Sequence, residues 1–557
     1  MALTVIAAWL RFSSTGFGLP DQFRPDEGMV VFRALDFEKD WNPHLAIYPA
    51  AQTYLIHGVL RSYATLTGAG PNLSTAYGFD NQAQAYLIAR QITAAMGTAT
   101  VPVIYLAVAP VFGSAAALAS AAIVAVSFIH VRESKFAKVE GPAGLWLALS
   151  ILMMLRITSR GRPMNYALAG FFCGLAAATH YPAGAIAIGI AVAHLEARHR
   201  ENLSMLGSLK DGRIYLAGLV TILTFCCINP YFFLDWPQTV HDYNYLRDTY
   251  MTWSSGSAPD NFGWRWLLIR AMPAAFGIEL EIFLLAAMVW VIFRPRPGTF
   301  ALLAFIVVCF LSLTSGHPWL EFRYLVNPVL AMAVLGGVFA ADLTALACSR
   351  MGRRPGLLAA GAAGILLIAP SFMRDVELNH LLSQTDTRTI ASQWMNEHIP
   401  PESPIIFIGG DGYGKPRAPG RHILLPVDNP RRLKILTSQV QWVVLDSLPP
   451  LSRFSPGATN AELAELNSKG TPALDVDPIR PGTVMPAFDP NDAFYVPFNH
   501  ITNMLRPGPR IQIWKIRISA PGGVPIDSSS PQRFESYRGA TTAVRCRALE
   551  VLQLSKR

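Results

Sequence analysis

Two adjacent carboxylates, Asp26 and Glu27, are the first candidates for chemistry in the sequence. They follow the apolar N-terminal stretch in the segment FRPDEGMVVFRALDF, where Pro25 predicts a non-helical approach to the pair. A carboxylate there can take the proton from an attacking hydroxyl or amine, and its neighbour can bind the acceptor or a divalent cation, Mg²⁺ or Mn²⁺. The alternative is structural, since acidic residues also favour the first turn of a helix.

A second candidate is the basic segment HVRESKFAKVEGP, which supplies Arg132, Lys135 and Lys138. Three cations in one short loop predict a phosphate site, because Arg and Lys form charge-assisted hydrogen bonds to phosphate oxygens. Glu140 opens the following apolar segment. It can neutralise Lys138, contact substrate or a metal, or act as an ordinary acidic residue at a helix N-terminus.

The remaining candidates stand where apolar segments meet polar loops, positions at which ionisable groups are often functional. Arg90 and Arg323 are predicted to bind phosphate, although a snorkelling side chain is the alternative for Arg90. The predicted substrate-binding residues are His44, Tyr48, Glu140, His180, His317 and Glu321. Around Asp235, the aromatic segment NPYFFLDWPQTVHDYNYLRDTYMTWSSG fits a substrate wall and an interfacial aromatic belt equally well.

These groups are carried by a chain that is too apolar for an average soluble protein. Of its 557 residues, 52% are hydrophobic and only 15% are charged. Apolar stretches near the ~20 residues that cross a membrane predict a bundle of about eleven transmembrane helices. They lie at 1–19, 86–109, 114–131, 140–157, 164–180, 182–196, 214–232, 276–293, 298–315, 322–347 and 356–373. Some are short or contain Gly and Pro, which leaves the count open by about one or two.

The charges of the connecting loops predict the orientation of this bundle. The net charge of +9 does not indicate nucleic acid, because the basic residues lie in short loops between apolar runs. Basic groups near 160, 198–213, 295 and 350–354 fall in alternate loops, which the positive-inside rule places in the cytoplasm. The N-terminus is then inside, and the outer face carries 20–85, 132–139, 233–275, 316–321 and everything after 373. The cations at 132–138 depart from the rule, as an outer phosphate site would.

The chain changes character after Met373. The segment TRTIASQWMNEHI predicts an amphipathic helix, and PIIFIGG, HILLPV, QWVVLDS and RIQIWKIR predict short strands. We therefore expect an all-α transmembrane domain at 1–373, a soluble α/β domain outside the membrane at 374–520, and a flexible tail at 521–557. The six cysteines form neither a disulfide framework nor a zinc-binding spacing.

Several motifs occur in the order that is known from one group of membrane enzymes. They are RPDE, RESKFAKVEGP, GLAAATHY, NPYFFLDWP, FRYLVNP and DTRTIASQWMNEHIPPES, and they span residues 20–400. The chain resembles the C-type glycosyltransferases, especially bacterial relatives of the protein O-mannosyltransferases and of the aminoarabinose transferases that act on lipid A.

This resemblance implies a GT-C fold and inverting transfer of one sugar from a polyprenyl-phosphate donor to a lipid, glycan or protein acceptor. The family's first-loop acidic motif maps onto Asp26 with Glu27, as base or as the site for the acceptor and any metal. Its phosphate-binding cations match Arg323 with Lys135 or Lys138. The family often has Asp at the position of Glu140 and Lys at the position of His180.

The predicted function is therefore a glycosyltransferase of the bacterial inner membrane, with no nucleic-acid partner and no cofactor besides the optional divalent cation. The alternative is a transporter or flippase for a lipid-linked or small anionic substrate, for which many spans and intramembrane charges are equally expected. The lack of an internal repeat and the clustering of ionisable groups on one face disfavour it. An inert scaffold is the third option.

Overall fold

The computed structural model describes residues 1–37, 40–69, 82–254, 263–315, 321–408, 414–418, 422–424, 440–447, 460–489 and 494–517. Residues 1–516 form one compact unit that is mostly helical. The predicted tail at 521–557 lies outside the described residues.

Each of the eleven apolar segments predicted from the sequence contains a helix. These helices are Ala2–Phe12, Gln82–Phe112, Ser114–Ala125, Glu140–Ser159, Pro163–Thr179, Ile186–Arg200, Gly212–Ile228, Ile278–Phe293, Thr299–Thr314, Val326–Met351 and Arg353–Leu382. The agreement follows from the sequence, because long apolar runs without charged interruptions satisfy their backbone groups best as helices.

Among the residues that the structure describes, four helical stretches are long and apolar enough to cross a membrane: Gln82–Phe112, Glu140–Ser159, Phe322–Met351 and Arg353–His398. A fifth is added if Gly263–Phe276 and Ile278–Phe293, which are bent by 117° at their junction, form one span. The chain is thus an integral membrane protein, and the total of eleven spans stays a prediction.

Shorter elements connect these helices and complete the unit. The α-helices are Glu27–Asp36, Ala51–Thr67, Phe128–Glu133, Met205–Leu209, Tyr231–Leu234, Trp236–Ser254, Gly263–Trp266, Met272–Phe276, Thr387–His398 and Asn460–Lys469. A π-helical turn covers Leu267–Ala271, and 3₁₀ turns cover Tyr181–Ala185, Phe322–Leu325 and Ile501–Asn503. The helix predicted in TRTIASQWMNEHI is Thr387–His398.

The helix Val326–Met351, called the central helix below, is buried at every residue from Val326 to Val338. Its Gly337 touches the helix Ser114–Ala125 so closely that an added Cβ would lie 2.0 Å from Ser120 Oγ. Between helices in lipid, close backbone approach of this kind supplies the packing energy that the hydrophobic effect does not. The start of the central helix is therefore held firmly inside the bundle.

In the described part of the second half of the chain, five strands form one mixed sheet in the order β2-β1-β3-β5-β4. They are β1 (Ile405–Ile408), β2 (His422–Leu424), β3 (Trp442–Ser447), β4 (Gly470–Val476) and β5 (Arg510–Ile516). β1 runs parallel to β2 and β3, whereas β5 runs antiparallel to β3 and β4. Strands occur at all four predicted positions, and β4 was not predicted. The domain boundary at 373 stays a prediction.

Between β4 and β5 the chain returns to the helical bundle. We call residues 484–489 and 494–504 the return segment. Six of its apolar side chains belong to the same buried cluster as the apolar helices: Phe488, Phe494, Val496, Phe498, Ile501 and Met504. The sheet is thus connected to the bundle through side chains that are buried among the helices.

Candidate active site

Five charged side chains from three separate parts of the chain meet in one group, called the charged cluster: Asp26, Lys138, Glu140, Glu321 and Arg323. Asp26 Oδ2 accepts hydrogen bonds from Lys138 Nζ and from Arg323 Nη1, each at 3.1 Å. Arg323 Nη2 donates to Glu321 Oε1 at 2.8 Å, and its Nε lies 3.2 Å from Glu140 Oε1. The cluster thus combines three carboxylates with two cations.

The local backbone explains how each segment presents its charge. Asp26 stands directly before the helix Glu27–Asp36 with φ of 69°, a left-handed conformation that Asp tolerates better than most L-residues. Lys138 lies in the turn that precedes the helix Glu140–Ser159. Arg323 lies in the 3₁₀ turn that opens the central helix. All three charges therefore sit at helix starts, where the chain is irregular.

The members of the cluster differ in their access to solvent. The side chains of Lys138, Glu140 and Arg323 are 1%, 2% and 9% exposed, whereas that of Asp26 is 26% exposed. Within the described part of the chain, Asp26 uses only Oδ2 for its hydrogen bonds to the cations. Asp26 is thus the member of the cluster that is most accessible to solvent.

Tyr48 and His180 complete the surroundings of the cluster. Burial is the largest cause that raises the pKa of Tyr48 well above its ordinary value, and the negative charge of Asp26 adds to it. Arg323 opposes this shift, while Glu140 and Glu321 reinforce it. Tyr48 therefore keeps its phenolic proton and acts as a neutral hydrogen-bonding group.

His180 lies beside Glu140 and close to Asn327 of the central helix. Of the predicted substrate-binding residues, Tyr48, Glu140, His180 and Glu321 are thus in or next to the cluster. Asn327 was not predicted, although it is part of the motif FRYLVNP.

Glu27 faces a different partner from its neighbour Asp26. Both Glu27 and Arg90 are fully buried, and they form a two-armed ion pair with N–O distances of 2.9 and 2.6 Å. Glu27 Oε1 also accepts from the Ala137 backbone N–H at 2.8 Å, while Arg90 Nη1 donates to the Thr15 and Phe17 carbonyls. The pair ties the acidic segment to the bundle.

This geometry does not fit a metal ion held jointly by Asp26 and Glu27. The Glu27 carboxylate is occupied by Arg90, and the Asp26 carboxylate is occupied by Lys138 and Arg323. Across the residues that the structure describes, no group of three or more His, Cys, Asp or Glu side chains is arranged to hold a metal. The same ion pair directs Arg90 at Glu27 and away from a phosphate in the charged cluster.

The three cations of the basic segment point in different directions. Lys138 joins the charged cluster, but Lys135 is fully buried and donates to the carbonyls of Leu10 and Ser13. Burial is the largest cause that lowers the pKa of Lys135, to about 7. Arg132 donates to Glu133, and its guanidinium carbon lies 4.2 Å from the centre of the Phe498 ring. The structure therefore places Lys135 and Arg132 outside the cluster.

His44 lies apart from the charged cluster, in the first predicted outer loop. Its ring is half-exposed, with Nε2 3.0 Å from Asp40 Oδ2 and Nδ1 3.8 Å from Asp235 Oδ2. Asp235 also accepts from Asn42 Nδ2 at 2.8 Å, so the loop is docked onto the aromatic segment. An open pocket between them is lined by Tyr48, Tyr54, Tyr181, Tyr231 and Phe232, among others. His317 lies outside the described residues.

Asp489 is a further neighbour of the cluster that the sequence did not indicate. Its Oδ2 accepts a hydrogen bond at 2.9 Å from the backbone N–H of Phe322, the residue before Arg323. Nothing in the surrounding MPAFDPNDAF distinguishes this carboxylate from others in the second half of the chain. Only the path of the return segment brings it to the site.

Comparison with known proteins gives one family match. The model of the dolichyl-phosphate-mannose-protein mannosyltransferase family matches residues 44–246, a little over a third of the chain. The matched range includes Lys138, Glu140 and His180, whereas Asp26 and Arg323 lie outside it. The match confirms the predicted resemblance to glycosyltransferases that use a lipid-phosphate sugar. No curated protein sequence matches the chain significantly.

Solved structures show distant likenesses. The oligosaccharyltransferase AglB from Archaeoglobus fulgidus is 14% identical, with a TM-score of 0.46 over 80% of this chain and 68% of AglB. ArnT from Cupriavidus metallidurans is 14% identical, with a TM-score of 0.45 over 81% and 93%. The arabinofuranosyltransferase AftD from Mycobacteria is 14% identical, with a TM-score of 0.45 over 93% and 40%. Likenesses at this level do not identify shared residues or chemistry.

Proposed function

We infer that this chain, a membrane glycosyltransferase that uses a lipid-phosphate sugar, carries out the transfer at the charged cluster. The observation that carries the proposal is the pairing of Asp26 with Lys138 and Arg323, which come from three distant segments. A partly exposed carboxylate beside two buried cations offers a base and an anion site within a few ångströms of each other.

We assign the lipid phosphate of the donor to Arg323 and Lys138. Glycosyl transfer from such a donor breaks the bond between the anomeric carbon and a phosphate oxygen, and the electron pair leaves with the phosphate. Cations fixed in a buried site stabilise that developing charge more than mobile ions in water do. Glu140 and Glu321 hold the Arg323 guanidinium by Nε and Nη2, so its orientation is set before the donor arrives.

We assign the role of general base to Asp26. An acceptor hydroxyl or amine attacks the anomeric carbon from the side opposite the phosphate, and Asp26 takes its proton. This single displacement inverts the configuration at that carbon. Since Asp26 contacts the same two cations that are assigned to phosphate, a bound phosphate competes for them and turns the carboxylate toward the acceptor.

Glu27 and Arg90 receive a structural role in this proposal, because they pair with each other and with backbone groups inside the bundle. Tyr48 and His180 are assigned to substrate contacts at the edge of the cluster. Lys135 and Arg132 are assigned to holding the basic segment in place, since their partners are carbonyls, Glu133 and an aromatic ring. No step is assigned to a metal.

The donor that we propose is a polyprenyl-phosphate sugar, in line with the dolichyl-phosphate mannose named for the family that matches residues 44–246. We propose a GT-C fold, with the reaction on the outer face of a bacterial inner membrane. The orientation from the positive-inside rule supports this side, because it places the segments that carry Asp26, Lys138 and Glu321 on one face, and the cluster joins these three.

This function is tested by incubating membranes that carry the protein with a radiolabelled polyprenyl-phosphate sugar. We expect label to move into lipid, glycan or protein with release of lipid phosphate, and Asp26→Asn to lower the rate by about 10²-fold or more, the size expected for a lost general base. Asp248→Asn is the matched control, because Asp248 is a 65%-exposed carboxylate paired with Arg247.

Two results would contradict the proposal. Full transfer by folded Asp26→Asn protein would remove Asp26 from the chemistry. Label that accumulates inside sealed vesicles, still linked to its lipid phosphate, would identify a transporter or flippase and refute the enzyme.

A further inference from the structure

We propose that the return segment positions the catalytic groups: Phe494, Phe498 and Asp489 together hold the three chain segments that carry Asp26, Lys138 and Arg323. This inference rests on the proposed function. It assigns a role in the reaction to a part of the chain that lies more than a hundred residues beyond the last member of the charged cluster.

Phe494 acts on the acidic segment through Arg24. The Arg24 guanidinium contacts both Phe136 and Phe494, with its carbon 4.7 and 4.8 Å from the two ring centres. Arg24 is only 2% exposed, so these cation–π contacts are desolvated and strong. Because Asp26 follows Arg24 by two residues, fixing the guanidinium fixes the place from which the carboxylate projects.

The same ring also contacts the basic segment. Phe136 packs edge-on against Phe494 with ring centres 5.0 Å apart, and it precedes Lys138 by two residues. Aromatic pairs in this edge-to-face arrangement favour one relative orientation. Phe494 therefore contacts the acidic and the basic segments together, and it helps to fix their relative positions and with them those of Asp26 and Lys138.

Phe498 and Asp489 act on the third segment. The Phe498 ring lies 4.9 Å from that of Phe322 and also stacks against Arg132 of the basic segment. Asp489 accepts the Phe322 backbone N–H at 2.9 Å in a buried environment. Arg323 is the next residue, so a side-chain contact and a backbone hydrogen bond together fix the peptide from which its guanidinium extends.

Simple packing does not account for this arrangement. A packing segment needs only apolar contacts, whereas this one contacts two buried guanidinium groups and supplies a carboxylate to a backbone donor. Arg24 and Phe322 lie within two residues of Asp26 and Arg323, which belong to the cluster. Arg132 is farther from any member of the cluster. Asp489, Phe494 and Phe498 are thus positioning residues, which act through Arg24, Phe136 and Phe322.

The proposal is tested with the purified full chain in detergent. Binding is measured with undecaprenyl phosphate, and sugar transfer is measured with a labelled polyprenyl-phosphate sugar as the substrate. We expect Asp489→Ala to weaken binding of the lipid phosphate by about tenfold and to lower kcat/KM by 10- to 100-fold, because displacements near 1 Å cost about that much. Asp489→Asn keeps an oxygen that accepts the Phe322 N–H and is expected to retain most of the binding and the activity.

Asp475→Ala is the matched control. It removes another carboxylate from the second half of the chain, but Asp475 is 36% exposed and pairs with Arg510 on β5. Phe494→Leu is a second test variant that keeps most of the apolar volume and removes the ring. We expect a fall in kcat/KM like that of Asp489→Ala. For each variant the folded fraction is measured by size-exclusion chromatography and thermal unfolding.

The outcomes separate the two proposals. If wild-type protein neither binds undecaprenyl phosphate nor transfers label, the proposed function fails. If wild-type protein does both, and folded Asp489→Ala and Phe494→Leu proteins match its binding and its kcat/KM per folded molecule, the positioning role is refuted. Equal losses in Asp489→Ala and Asp489→Asn would also refute it, because the loss would then follow the charge and not the hydrogen bond.

Discussion

Replacing Glu27 by Gln separates a structural role of this carboxylate from a catalytic one. Gln keeps the shape of Glu and an oxygen that can accept from Ala137 N–H, but it leaves the fully buried Arg90 without its counter-ion. Breaking one side of a buried ion pair costs about 3–5 kcal/mol. We therefore expect Glu27→Gln protein to unfold at a clearly lower temperature and in lower denaturant than the wild type.

The second variant in this experiment is Glu27→Gln/Arg90→Met, which removes the unpaired charge and keeps an unbranched side chain in the bundle. Replacing both partners of a buried pair by neutral groups is often close to neutral. Since Arg90 also donates to the Thr15 and Phe17 carbonyls, we expect a recovery of about half of the loss and not all of it.

The assays are thermal unfolding of the detergent-solubilised protein and sugar transfer per folded molecule. We expect transfer to follow stability, so that the double variant is more active than Glu27→Gln alone. If Glu27→Gln abolishes transfer at unchanged unfolding temperature, and Arg90→Met restores neither property, then Glu27 takes part in the chemistry and its assignment as a structural residue is wrong. Asp248→Asn again serves as the neutral control.

Two further predictions concern the cations. Arg323→Lys keeps the charge but loses the guanidinium fork that reaches Asp26, Glu321 and Glu140 through Nη1, Nη2 and Nε. We therefore expect the KM for the lipid-phosphate donor to rise by about tenfold or more in steady-state kinetics. An unchanged KM would argue against Arg323 as the phosphate ligand. Burial lowers the pKa of Lys135 from its ordinary value of 10.5 to about 7. Between pH 7 and pH 10.5, the unfolded chain therefore holds a proton on Lys135 that the folded protein lacks. Because the unfolded state binds more protons in this range, the contribution of Lys135 to the free energy of unfolding rises with pH. We therefore expect the unfolding temperature of the wild type, relative to Lys135→Met, to increase from pH 7 to pH 9, and parallel curves for the two proteins would contradict a lowered pKa.

Contacts within the fold explain why the predicted outer loop at 132–139 carries basic residues against the usual distribution. Arg132, Lys135 and Lys138 each have partners within the fold: Glu133, backbone carbonyls and Asp26. Such partners stabilise the charges of Arg132 and Lys138, and burial lowers the pKa of Lys135 to about 7, so both effects offset the preference for the cytoplasmic side. The predicted phosphate site thus accounts for Lys138, and structural contacts account for Arg132 and Lys135.

The sequence alone predicted the helices and most of the strands, because these depend on local properties. Apolar runs near membrane-spanning length become helices wherever they occur, as at Gln82–Phe112 and in the central helix. Short runs rich in β-branched residues, such as QWVVLDS, become strands for a similar reason. The strand β4 was missed because its segment GTPALDV contains Gly and Pro, which are uncommon in strands.

The sequence also identified which ionisable residues stand at the ends of apolar segments, and with them Asp26, Lys138, Glu140 and Arg323. What it did not determine is which of these groups meet. Asp26 and Glu27 are adjacent, yet the left-handed turn at Asp26 directs one carboxylate to Arg323 and the other to Arg90. Lys135 and Lys138 are three residues apart, but one binds carbonyls of the first helix and the other binds Asp26.

The physical reason is that the direction of a side chain in an irregular segment depends on backbone torsions that distant contacts fix. Residues 24–26 and 134–139 follow no regular period, so spacing along the chain says nothing about which way their side chains point. Phe494 contacts Arg24 and Phe136 in these two segments, and Asp489 contacts Phe322 beside Arg323, although no local pattern connects these residues. The sequence thus determined the membrane-embedded helices and the set of candidate charges, and the tertiary structure decided which of those charges form the site.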